Sequence, residues 1–416
     1  MEASATFVYD PDDLAIRRDP HALFAKLREH EPVHWSPRLA SWVVTSYTLG
    51  NQALMDAERF SADRITPFAQ RLKPEQREQA AELLGWLSRW MVFRDPPDHS
   101  RLRRQLMVPL NPRVFQSLES QVDAAVTAHL DRLEAGAPFD FVREFAQTMP
   151  GYVLMDILGV PRERFLETQR YSNDLMLFIG GSRHVEEKYQ RARDGAQGMA
   201  ELFRAALEKR RSEGAPDGDV LWQLMSTEID GRTMTDEELV ASMMMLLNGA
   251  HETTTNALTN MVSALAAHPE LPAQLRDAPA LHASAVEEFL RYDSPVLSVG
   301  RLAARDQEFG GKEIRQGDRI YVMLVAVNRD PAVFPHPEEI DIRRSPNPHL
   351  AFGKGLHFCL GAPLAKLEMR MALKQIVQRY HRVDVLASPA ELKWHNSLVA
   401  RGPTSLPVRL LLRAAG

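Results

Sequence analysis

The chain has 416 residues, 44% of them hydrophobic, which is enough to bury at least one large core. Fifty lysines and arginines against 55 acids give a net charge of −5, so there is no basic surplus for nucleic acid. The single cysteine, Cys359, excludes an intramolecular disulfide and a cysteine-rich zinc site, and fits a reducing, cytoplasmic setting.

In chain order, His21–His30 reads as a short amphipathic helix and 41–45 as a strand of β-branched and aromatic residues. From 74 to 269 the pattern is mainly helical, broken at 95–98 and 214–218 by proline and glycine. Beyond Val296 it turns to strands and irregular structure, with a turn at Gly310-Gly311 and a buried strand expected within 319–327. A proline-rich stretch over 331–348 precedes a helix over 363–380, and 394–412 again reads as extended. Residues 1–10 lack the basic start and apolar stretch of a secretory signal. No run reaches the roughly 18 apolar residues of a membrane span, so no membrane anchor is expected. No composition shift marks a linker, which predicts one large α+β domain over 1–416, predominantly helical with small β-sheets.

The loop 352–361, Phe-Gly-Lys-Gly-Leu-His-Phe-Cys-Leu-Gly, runs into a helix whose first turn holds Pro363. Free N–H groups at that helix start favour an anion, which predicts a lowered thiol pKa at Cys359. A lone cysteine is ordinarily a small buried hydrophobe. As a thiolate it would be a nucleophile or a metal ligand, and a nucleophile needs a base that His357, two residues away in an extended loop, is poorly placed to supply. As a single protein ligand, thiolate suits iron in a porphyrin, where it promotes O–O cleavage.

The long helix expected over 235–268, on the order of 50 Å, opens on the capping box Thr235-x-x-Glu238 and stops before Pro269. Its apolar first half gives way to His251-Glu252-Thr253-Thr254-Thr255-Asn256. Six polar residues inside a buried helix must face a polar cavity or bond back to the backbone, and Glu252 with Thr253 offers an acid and an alcohol for proton supply.

The cysteine loop, continued by Leu364-Ala365-Lys366-Leu367-Glu368, resembles the haem loop of the bacterial cytochromes P450. Gly249-Ala250-His251-Glu252-Thr253-Thr254 resembles that family's distal-helix motif, with Ala250 in place of its usual second glycine. The resemblance extends over essentially the whole chain and implies the P450 fold, with haem b held between a distal helix over 235–268 and the cysteine-loop helix. It makes Cys359 the axial iron ligand, Thr253 the hydroxyl that stabilises bound dioxygen and Glu252 a proton relay. His99, Arg103, Arg301 and His357 become propionate contacts, and Phe352, Gly353 and Ala250 line the haem.

By the same resemblance, Glu288 and Arg291 form a structural pair with Arg343 as third member, and 61–90 is the loop over the substrate cavity. Met91, Leu247, Ala250, Val296, Leu297, Val299, Leu398 and Val399 are expected to line that hydrophobic pocket. The implied activity is a monomeric haem-thiolate monooxygenase of secondary metabolism that hydroxylates a hydrophobic small molecule. With no room for a fused reductase, NAD(P)H electrons would arrive through a ferredoxin or flavodoxin and its reductase, docking near Lys354, Arg113, Arg344 and Lys366. A peroxide-driven peroxygenase and a non-catalytic haem or ligand-binding sensor are the competing readings.

Overall fold

The computed structural model describes residues 7–181, 185, 187–214 and 218–412. Most of the segment read for a signal, 1–6, and residues 215–217 of the expected break lie outside the described residues. Among the described residues the strands are β1 (Val33–Ser36), β2 (Ser41–Val44), β3 (Phe60–Ser61), β4 (Phe139–Asp140), β5 (Ser298–Ala303), β6 (Gln307–Phe309), β7 (Lys312–Ile314), β8 (Arg319–Met323), β9 (Tyr380–Val385) and β10 (Pro407–Leu412). One sheet has the order β1-β2-β8-β5-β3, parallel only between β2 and β8. A second has β4-β10-β9, and β6-β7 is a hairpin through Gly310 and Gly311. The remainder is mostly helical and packs around one dominant apolar cluster.

Local chemistry explains the elements that position the site. The long helix runs Asp236–Ala267 with Thr235 as N-cap: its hydroxyl accepts from the Glu238 N–H at 3.2 Å and the Glu238 carboxylate accepts from the Thr235 N–H at 3.1 Å. Glu238 also pairs with Arg101, which ties the helix start to the helix Asp98–Met107. Farther along, the Thr255 hydroxyl reaches the Ala146 carbonyl at 3.1 Å, and the Asn260 amide reaches the carbonyls of Asp293 and Arg401. The cysteine-loop helix, Ala362–Arg379, packs beneath it.

Three expectations are corrected here. The stretch 61–90 is not a loop but largely two helices, Ile65–Arg71 and Pro74–Leu87, the second started by a proline whose missing N–H costs nothing there. The run 319–327 is strand only as far as Met323, after which Leu324–Val327 turns into a short helix. The third member of the Glu288–Arg291 pair is Arg344, not Arg343. Glu288 accepts from Arg291 Nε and Nη2, both at 2.8 Å, from Arg344 Nε at 3.1 Å, from Asn347 and from the Asp341 N–H. Arg343, one residue off, is exposed and only its backbone N–H meets Asp341.

Candidate active site

A cavity of about 370 Å³ lies between the long helix and the cysteine loop. Met245, Gly249, Thr253 and Ala257, spaced four apart, form the helix stripe that faces it, with Leu246, Ala250, Glu252 and Thr254 alongside. A Cβ on Gly249 would meet nothing within 4 Å, so the helix surface there is open to a flat ligand. Thr253 donates its hydroxyl to the Gly249 carbonyl at 2.5 Å, leaving its oxygen lone pairs toward the cavity. Burial pushes the Glu252 carboxyl up to about 7. His251 and Thr255 of the polar run serve other ends: His251 is buried on the far side beside Phe165, pushed down to about 4, and Thr255 bonds Ala146.

Opposite stands the cysteine loop. The Cys359 N–H donates to the Phe352 carbonyl at 2.9 Å, and Gly353 and Gly355 take positive φ of 71° and 70° to make the tight path. Protein surrounds the thiol, yet its surface is accessible because it faces the cavity. Burial raises its pKa, correcting the expected lowering; the N–H groups of Gly361 and Ala362 and the charge of Arg103 work against that rise without cancelling it.

The cavity rim gathers cations and imidazoles. The rings of His99 and His357 meet with centroids 4.2 Å apart and planes tilted by 51°, and neither His99 nitrogen nor His357 Nε2 has a partner. Burial first, then the neighbouring arginines, pushes His357 down to about 3, and His99 also falls below its ordinary value. Arg301 is 5% exposed and is pushed down to about 10 by burial and by Arg64. Arg103 is more open and donates to the Phe358 carbonyl at 2.8 Å. Arg101 and Arg104 point elsewhere, onto Glu238 and Asp230.

Two residues here were not nominated from sequence. Arg64 is half-buried with its inner Nε unpartnered, its guanidinium between the Phe93 ring at 5.0 Å and Gly300, where a Cβ would come within 2.6 Å of Nη1. Only the glycine at 300 could have signalled it. Glu368, quoted as part of the loop motif, lines the cavity and burial pushes it up to about 8. None of Arg64, Arg103 and Arg301 is paired with a carboxylate among the described residues.

Of the expected pocket residues, Met91, Ala250, Val296, Val299 and Val399 line the cavity. Leu247, Leu297 and Leu398 do not. Leu247 is one step off the helix stripe and lies with His251 on the opposite face, Leu297 turns the other way along its strand into a cluster with Met323, and Leu398 packs against that same cluster. Within 61–90, only Arg64 and Trp90 reach the cavity wall.

Residues 62–403 match the family described as cytochrome P450. The chain is 30% identical over 414 residues to the polyketide biosynthesis cytochrome P450 PksS of Bacillus subtilis, covering 97% of this chain and 98% of that one. It is 33% identical over 403 residues to the vitamin D(3) 25-hydroxylase of Pseudonocardia autotrophica, covering 96% and 95%. Among solved structures, P450BioI in complex with an acyl carrier protein bearing hexadec-9Z-enoic acid superposes with a TM-score of 0.85 at 30% identity, covering 95% and 99%. With this fold and this site, the chain belongs to the cytochrome P450 family, whose members are haem-iron monooxygenases that use dioxygen.

The residues present fit that cofactor. Unpartnered imidazole nitrogens and three arginines without carboxylates suit two anionic propionates, and the thiol faces the same space. No helix among the described residues is long and apolar enough to cross a membrane.

Proposed function

We propose that this chain is a haem-thiolate monooxygenase that hydroxylates a hydrophobic small molecule held over the haem. The observation that carries the reading is the placement of Glu252 and Thr253 on the wall facing Cys359, across a cavity otherwise lined mostly by apolar side chains. Haem, when bound, supplies dioxygen activation. Cys359 would hold the iron, and His99, Arg103, Arg301 and His357, with Arg64 added, would hold the propionates. Phe352, Gly353 and Ala250 would border the ring. Thr253 would present its hydroxyl oxygen to the reacting end of the cavity, and Glu252, protonated near neutrality, would release a proton beside it. The Ala250 methyl narrows the groove that a second glycine would leave open.

The names of the relatives point to a polyketide pathway, vitamin D(3) and a fatty acyl chain, and all three support an apolar substrate. Met91, Val296, Val299 and Val399 would contact it. Glu252 also favours dioxygen over peroxide as the oxidant, because a ready-made peroxide needs no delivered protons. Electrons would come from NAD(P)H through a ferredoxin or flavodoxin and its reductase. Lys354 and Arg113 are exposed and suited to such a partner, and Lys366 is shared with Glu287. Arg344, expected as a fourth contact, is consumed by Glu288, with its side chain only 9% exposed.

The test is turnover of hydrophobic compounds that shift the haem spin state, with the redox system and with peroxide in its place. Product that depends on dioxygen and the redox system is expected, as is loss of the thiolate-type carbon monoxide spectrum in Cys359→Ala. Product with peroxide alone, or a retained spectrum in that variant, overturns the reading.

A further inference from the structure

Glu252 is met from behind by a histidine 143 positions away. Its Oε1 lies 3.4 Å from Nδ1 of His395. His395 is fixed by the C-terminal segment: its N–H donates to the Gly402 carbonyl at 3.2 Å, and Trp394 bridges Pro403. His395 also lines a second, smaller cavity of about 20 Å³, walled with it by Tyr9, Arg17, Trp394, Arg401 and Gly402. That is room for about one water molecule. No residue lines both cavities, so the Glu252–His395 contact joins a group of one wall to a group of the other.

A separate feature points to water on this side of the helix. Asn256, one turn beyond Glu252, is wholly buried with neither amide atom partnered, and it packs on Gly402, where a Cβ would come within 2.4 Å of its Oδ1. Thus the unpartnered amide and the small cavity share the same glycine. The charged groups facing that cavity are Arg17 and Arg401. Arg401 is held by Asp293 at 2.7 Å, and Arg17 donates to the Asp12 carbonyl at 3.0 Å. Burial lowers His395 and so disfavours imidazolium there.

We propose that His395 is a positioning residue that returns protons from water to Glu252, with the small cavity as the inlet. This rests on the monooxygenase reading. Once Glu252 has released a proton toward Thr253, its carboxylate takes the Nδ1 proton of His395 while Nε2 takes one from water in the inlet. One proton leaves water for each one delivered, no electrons move, and the imidazole is left as its other tautomer, which exchange with water resets.

The experiment uses the holoenzyme and two variants. His395→Gln keeps a hydrogen-bonding side chain that cannot pass a proton, and Ala400→Val fills the inlet from its wall without touching Glu252. In both, the substrate-induced spin shift and the carbon monoxide spectrum should match the unmodified enzyme. Product formed per NAD(P)H should fall roughly tenfold, and the solvent deuterium isotope effect on turnover should rise. Independently of turnover, infrared spectra should show the Glu252 carboxyl band, assigned with Glu252→Gln, exchanging into D₂O roughly tenfold more slowly in both. Unchanged exchange and coupling in the two variants would overturn the proposal, and Ala400→Val decides alone if His395→Gln does not fold. Slowed exchange in an enzyme that turns over nothing with dioxygen would support the inlet and strike only the monooxygenase reading.

Discussion

Replacing Glu252 with glutamine should stabilise the fold, and only on the alkaline side. The carboxyl titrates at about 7 in the folded chain against an ordinary 4.5, and burial is the cause. Between those values the folded state still holds a proton that the unfolded state has released, so stability falls as pH rises through this window and the loss is complete above about 7. At 1.36 kcal/mol for each pH unit, the cost approaches about 3 kcal/mol. A donated hydrogen bond from His395, 3.4 Å away, can only reduce it. A glutamine side chain has no proton to lose, so the variant escapes the cost. Urea unfolding of both proteins at pH 4 and pH 8 isolates the effect, since every other titrating group is common to the two. The difference in unfolding free energy should be near zero at pH 4 and should favour Glu252→Gln by up to about 3 kcal/mol at pH 8. A difference that stays flat across this range, or one that favours the wild-type chain at pH 8, would refute the assignment of a buried, protonated acid.

Arg344→Ala should cost about 1–3 kcal/mol through the bonds lost at Glu288, while Arg343→Ala should stay within about 0.5, both read from chemical unfolding. Equal effects would undo the assignment of Arg344 as the third member. Thr253→Ala should leave ligand binding intact, seen as an unchanged spin shift, while product per electron pair drops several-fold; full coupling in that variant would remove Thr253 from the proton path.

How far the sequence alone reached depends on the range over which each feature is determined. The capping box at Thr235 and Glu238 and the glycine-spaced loop around Cys359 are local, so residue order was enough to locate them. The side chains turned toward the cavity followed helical and strand period to within one residue, and that residue separates Leu246 from Leu247. In the irregular stretch after Phe334 no period exists, and Arg343 was chosen over its neighbour Arg344. The lowering expected at Cys359 considered only the helix start, because the extent of burial is a property of the whole fold. Arg64 beneath Gly300 and His395 behind Glu252 meet their partners across 236 and 143 positions, and no spacing rule joins them.

The long helix is tethered at Glu238 to Arg101, at Thr255 to Ala146 and at Asn260 to Asp293 and Arg401. The anchors at Glu238 and Asn260 flank the stripe that faces the cavity, and the one at Thr255 falls within its length. A bar fixed at three points along its length cannot slide or roll to make room for a bulkier occupant. Retuning this pocket by substitution therefore means trading side chains at Leu246, Ala250, Val296 or Val399 one against another, and a gain in volume at one position is not cancelled by drift of the helix.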